Sequence, residues 1–315
     1  MKSGFILDQF KTPTEKPTNK LVSHSQFQMW QNCPLQWKLS YIDKLRSGDQ
    51  NIHSVFGDAM HTCLQEWLTI MYTETIKKSN EYDFEKRLLE LLKTNYALAV
   101  EKHGSHFSSR EQLSEFYVDG LAILNWIRKK RKAYFSPKHE ELIGIELPLQ
   151  YEVRSGVSLT GFIDIVFRDK QSGKIIIKDF KTSGTGWNQW AKKDVPKVNQ
   201  IILYKLYFSK QYNIPIDDIE VEYFIVKRKV DLDSAYPQRR VQIFSPSQGK
   251  VTYKKVERIF NDFLNSCFLP DGSYNTLVKY IANAGKGKKN CRFCDFDNKW
   301  DLCPPNQRVC LINES

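Results

Sequence analysis

Along roughly the first 135 residues, apolar positions recur every three to four places; from Leu142 onward they gather into short β-branched runs. Ser23 to Trp37 reads as a short helix. Its N-cap candidate is Ser25, its apolar side chains are Phe27, Met29 and Trp30, and Pro34 stands near its end or opens a second turn. Residues 54–78 read as a long helix through Val55, Met60, Leu64, Trp67, Leu68 and Met71. Residues 83–102 and 110–135 read as two more, joined by the polar loop Gly104 to Ser109. The pattern then changes period. Ile143 to Val153, Ser158 to Arg168 and Lys174 to Phe180 read as strands, with Asp169 to Gly173 as the turn between the last two. Asn199 to Gln211 reads as a helix. Glu220 to Lys229 reads as a strand with Arg239 to Phe244 as its antiparallel neighbour, and Lys250 to Leu264 as a further helix. Residues 1–22, polar and carrying Pro13 and Pro17, read as an extended arm.

The chain has 315 residues, so two domains or one elaborated α/β domain both fit. Its 47 Lys and Arg against 36 Asp and Glu leave a net charge of +11, which favours a polyanionic partner, nucleic acid above all, although a charge kept for solubility would look the same. No apolar run suits a signal peptide or a membrane span, so the expectation is a soluble cytosolic protein with no membrane partner. In a reducing compartment seven cysteines do not suggest disulfides, and clustered ones point to metal ligation. No Gly-x-x-x-x-Gly-Lys-Ser/Thr occurs, which argues against a P-loop ATPase.

The chemistry concentrates in the hairpin. With the turn at 169–174, Arg168 faces Ile175, Val166 faces Ile177, and the same register sets Asp164 opposite Asp179. Their Cβ atoms would then lie about 5 Å apart. Two like charges there need compensation, which a divalent cation supplies, and Mg²⁺ or Mn²⁺ suits an oxygen-rich pocket. Lys181, two residues beyond Asp179, projects from the same strand face and can orient water or stabilise phosphate charge. The plainer alternative is a surface hairpin with an ordinary Asp–Lys contact, but isoleucines make these strands apolar on both faces, and burying an uncompensated acid pair is costly. His61, in the long helix after Gly57, could complete a metal shell, though a lone helical histidine is more often structural. Gln200 and Tyr204 sit one helical turn apart.

Taken in order, Gly57-x-x-x-His61, Gly161-x-Ile163-Asp164, Asp179-Phe180-Lys181 and Gln200-x-x-x-Tyr204 resemble the RecB-like branch of the PD-(D/E)xK nucleases. The ends resemble it too: Ser25 with Cys33-Pro34-x-x-Trp37, and Cys291-x-x-Cys294 with Cys303-Pro304. These are the features of its iron–sulfur members, such as the AddB nuclease subunit and the CRISPR-adaptation exonucleases. The resemblance spans about Ser25 to Cys303. It implies a restriction-endonuclease-like fold, a central mixed sheet flanked by helices, as one nuclease domain over 23–315. A helical insertion would occupy about 82–135 and a cluster segment about 284–310. It makes His61, Asp164, Asp179 and the Phe180 carbonyl metal ligands, Lys181 the catalytic lysine, and Gln200 and Tyr204 supporting or DNA-contacting residues. Glu146 falls where such nucleases often keep an acid. Cys33, Cys291, Cys294 and Cys303 would bind a [4Fe–4S] cluster, with Zn²⁺ the alternative. The gap before Cys303 is wider than usual, and Cys310 competes for its place.

The function expected is a metal-dependent DNA exonuclease acting on single strands or ends, with unwinding left to a helicase or recombination partner. The alternatives are a non-catalytic DNA-binding subunit of a recombination, repair or CRISPR-adaptation complex, and a zinc-stabilised RNA-processing protein. A stand-alone form suits a phage or mobile element. Trp126, Tyr134, Phe135, Trp187 and Trp190 are candidates for base stacking, and Gly184 to Trp187 for a substrate loop.

Overall fold

The structure is a computed structural model and describes residues 6–10, 20–46, 51–231, 236 and 238–311. Most of the arm expected over 1–22 lies outside these residues. Its end forms a strand, β1 (Lys20–Val22). The helix expected from Ser23 to Trp37 is two helices, α1 (His24–Asn32) and α2 (Pro34–Tyr41), broken at Cys33, which stays extended because Pro34 follows it. The cap of α1 is Ser23 rather than Ser25, and its side chain accepts from the Gln26 amide. The long helix is α3 (Ile52–Thr73), opened by a capping box from Asn51 and Ser54 and followed by the short α4 (Ile76–Asn80). Next come α5 (Phe84–His103), ended by Gly104 in the left-handed region, and α6 (Arg110–Lys129).

The sheet then forms. β2 (Glu140–Arg154), β3 (Val157–Asp169) and β4 (Ile175–Ser183) run consecutively. A short α7 (Gln189–Lys192) and the buried α8 (Val195–Tyr212) carry the chain over to β5 (Ile219–Lys227), parallel to β4. β6 (Val241–Phe244) returns antiparallel to β5, and α9 (Lys250–Cys267) follows. Two short strands, β7 (Ala282–Asn283) and β8 (Arg308–Val309), pair separately.

The result is a mixed six-stranded sheet between two apolar layers. One layer packs α1, α8 and α9 on the sheet through Phe27, Ile201, Tyr207 and Phe260. The other packs α3, α5 and α6 through Phe56, Trp67, Leu88 and Ile123.

Two irregularities at the centre of this sheet decide where the site lies. β2 takes one edge of β3 along its whole length. The other edge is shared: β1 pairs with Val157 to Leu159, and β4 with Ile165 to Arg168. Among the described residues, Thr160 to Asp164 have no ladder partner on that side, so the sheet forks there. The second irregularity is a change of face. Residues two apart on a strand normally share a face, yet Ile145 packs into the α3 layer and Leu147 into the α8 layer. Their partners across the ladder, Ile165 and Ile163, are divided in the same way. Between them, Glu146 has φ +52, a left-handed conformation costing a non-glycine residue roughly 1–2 kcal/mol.

Candidate active site at the fork

Asp164 and Asp179 meet at the mouth of this fork. The ladder between β3 and β4 follows the register read from the sequence as far as Ile165 opposite Lys178, and then stops. The Phe180 amide, just past the last pair, donates to Asp164 Oδ2 at 2.7 Å. The N–H and C=O of one strand residue leave on the same edge, so the Phe180 carbonyl also points toward the fork. Lys181 Nζ lies 2.5 Å from the buried Asp179 Oδ2 and pairs with it. His61 reaches in from α3, with Nδ1 at 3.8 Å from Asp164 Oδ2 and its ring edge-on to Phe180.

Burial sets the charges. It pushes both Asp164 and Asp179 up to about 6, against the pull of Lys181; Glu146 adds to the rise at Asp164, and Asp164 adds to it at Asp179. Burial, and then Lys181, lowers His61, so its imidazole is neutral at pH 7. Lys181 is opposed by burial, but Asp179 and Asp164 outweigh that and hold its proton above the ordinary lysine range. The fork thus contains two carboxylates, a neutral imidazole, a strand carbonyl and an ammonium group.

This donor set fits a hard divalent cation: it is oxygen-rich, and burial destabilises its acids as anions. Among the described residues, no three His, Cys, Asp or Glu side chains are gathered closely enough to grip a cation as they stand. The compensating charge in this arrangement comes from Lys181.

Tyr204 covers the fork from α8. A Cβ added at Gly161 would lie 3.5 Å from its ring, and Gln200 Nε2 donates to its hydroxyl at 3.1 Å. Two neighbours carried no signal in the sequence. Gln65, one turn beyond His61, donates to Glu146 Oε1 at 2.6 Å. His24, buried at the start of α1, bonds the Pro196 carbonyl at 3.0 Å; burial holds it down to about 4, with Lys181 contributing.

The stacking candidates separate by exposure. Trp187 is 8% exposed and packs on Tyr223, and its amide donates to Gln242, so Gly184 to Trp187 is fastened to the sheet rather than open to substrate. Phe135 is core, and Trp126 and Tyr134 pack on each other. Trp190, 75% exposed on α7, remains accessible.

Cys33, Cys291, Cys294 and Cys303 lie in one neighbourhood, but among the described residues no three of them are gathered closely enough to hold a metal ion. Burial raises the Cys33, Cys291 and Cys294 thiols, the last to about 11, and the charges of the neighbouring cysteines raise them further. Cys303 is among those neighbours for all three, whereas Cys310 is exposed. The Asn283 amide donates to Cys33 Sγ at 3.3 Å, and Arg308 approaches Cys291 Sγ at 3.9 Å while also pairing with Asp297. Leu39, Ala282, Phe296 and Cys303 form a small apolar core beneath.

No curated protein matches the chain in sequence. The crystal structure of SSO0001 aligns over 95% of this chain and 90% of its own, at 11% identity and a TM-score of 0.37, a likeness too slight to support inference. No described helix is long and apolar enough to cross a membrane. The family whose description matches is the PD-(D/E)XK nuclease superfamily, over residues 21–300. That span contains all but the first residue of the forked sheet and the Asp164, Asp179 and Lys181 constellation, and the chain belongs to this superfamily of metal-dependent nucleases.

Proposed function

We propose that the chain is a Mg²⁺- or Mn²⁺-dependent deoxyribonuclease that acts as an exonuclease on single-stranded DNA or DNA ends. The observation that carries this is the pairing of the buried Asp179 with the partly buried Asp164, with Lys181 beside them at an opening in the sheet. A structural hairpin has no use for two destabilised acids. His61, Asp164, Asp179 and the Phe180 carbonyl would hold the cation, which supplies a Lewis acid and a water more easily deprotonated than bulk water. Lys181, charged at neutral pH, binds the scissile phosphate or orients the attacking water. Asp164 is held in place by the Phe180 amide, which leaves its other oxygen for the cation. Tyr204, tethered by Gln200, shields the Gly161 side of the fork from bulk water.

DNA as the partner is supported by the net charge of +11 and by one particular surface. Lys286, Lys288, Lys289, Arg292 and Lys299 are exposed. Phe293 and Trp300 stand beside them, 86% and 67% exposed. Cations interleaved with open rings suit a single strand. Unwinding would fall to a helicase or recombination partner. Cys33, Cys291, Cys294 and Cys303 are proposed to hold a [4Fe–4S] cluster, with zinc as the competing occupant.

The test is degradation of end-labelled linear and circular single-stranded DNA with Mg²⁺ or Mn²⁺. Wild type should shorten the linear strand and spare the circle, and Asp179→Ala should do neither. Equal cleavage by both proteins removes Asp179 from the chemistry. DNA binding without cleavage by wild type would favour the non-catalytic subunit, and cutting of the circle would make the enzyme an endonuclease.

A further inference from the structure

We infer that Gln65 is a positioning residue that holds Glu146 as a third carboxylate of the fork; this rests on the metal-dependent reading above. His61 and Gln65 are four residues apart on α3 and share a face. Gln65 is buried, and its Nε2 donates to Glu146 Oε1 at 2.6 Å. The amide nitrogen donates and the carboxylate oxygen accepts. Glu146 occupies the left-handed position at which β2 changes face. Glycine would adopt that conformation without strain, so a glutamate kept there points to use of its carboxylate.

The surroundings agree. The charge of Glu146 is felt at His61, Asp164 and Tyr204, which between them line the fork from both layers. With one oxygen fixed by Gln65, rotation of the carboxylate is arrested and the second oxygen acquires a set direction. A neutral donor does this without cancelling the negative charge, as a lysine in the same place would. Glu146 would thereby add its oxygen to those of Asp164 and Asp179. Partners of this kind orient the groups that grip a cation, and their loss typically weakens metal affinity 10–100-fold.

Mn²⁺ binding followed by electron paramagnetic resonance, without nucleic acid, tests this on the intact chain. Gln65→Leu should bind Mn²⁺ at least about tenfold more weakly than wild type. Glu146→Gln should lose a similar factor, and the double variant little more, because both remove one arm. Wild-type Mn²⁺ affinity in a folded Gln65→Leu, or losses that multiply in the double variant, would show a merely structural tie between α3 and β2 and overturn the inference. If Gln65→Leu does not fold, Gln65→Met keeps the length of the side chain without its donor. Asp179→Ala separates the two levels. If it loses Mn²⁺ while Gln65→Met does not, only the role of Gln65 fails. If Asp179→Ala binds Mn²⁺ as wild type does, the metal-dependent reading of the fork fails as well.

Discussion

Asp164 and Asp179 cost the fold stability in order to be available. A carboxyl whose pKa is higher in the folded chain than in the unfolded one keeps its proton longer in the fold. Stability is therefore fully present below the unfolded value near 4 and is lost as pH rises through about 6. The shift corresponds to at most about 3 kcal/mol for each group. With chelator present at pH 7.5, Asp179→Asn should melt a few degrees above wild type while losing cleavage, and the two should converge near pH 4. Thermal melts across that range check it, and equal melting at pH 7.5 would mean that the acids are not strained. This pair was legible in the sequence because a short turn fixes register: once Asp169 to Gly173 is a turn, the facing residues follow. Lys181 was legible by strand alternation. Gln65 was not, because its importance depends on the backbone of Glu146, and a glutamate in a strand-like run gives no sign of a positive φ. Trp187 misled for the opposite reason: a tryptophan beside glycines looks free until Tyr223 and Gln242 are seen to hold it.

At the scale of elements, local signals were readable and distant pairings were not. The helices declared themselves by period, and α3, α5 and α6 fall close to where it placed them. β1 is three residues long and pairs with a strand well over a hundred residues later, so nothing near it in the sequence announces it. It also moves the cap of α1, because the chain leaves the sheet at Ser23 before Ser25 can serve. α6 is fastened to the sheet at one conspicuous point. Arg228, at the end of β5, stacks over the Phe116 ring at 4.1 Å and pairs with Asp119 at 2.8 Å and Glu115 at 3.0 Å. Lys229 contacts the same acids from a more exposed position. Arg228→Ala should therefore cost about 1–2 kcal/mol and speed amide exchange along α6. Lys229→Ala should stay within about 0.5 kcal/mol. Hydrogen exchange and melting of both variants decide it, and equal effects would mean that the ring stack contributes nothing.

For the molecule as a whole, the cysteine segment closes a circuit. The Asn290 side chain donates to the Asn32 carbonyl, and the Asn283 amide to Cys33, so residues near opposite ends of the chain are joined beside α1. Anaerobically purified wild type is expected to show a broad iron–sulfur band near 400 nm, about where such clusters absorb. Cys33→Ser should lose that band and melt lower, whereas Cys310→Ser should do neither; a colourless wild type containing zinc would replace the cluster with zinc. The circuit also has a consequence in time. α1 leaves the ribosome some 250 residues before Asn283, the partner of Cys33. At 5–20 residues per second that is a wait of roughly 10 to 50 s. Throughout it, the helix that carries His24 toward Lys181 lacks its far anchor, although His61, Asp164, Asp179 and Lys181 have all been made. A chain interrupted before Asn283 would therefore carry the proposed catalytic residues without the contacts that join α1 to the C-terminal segment.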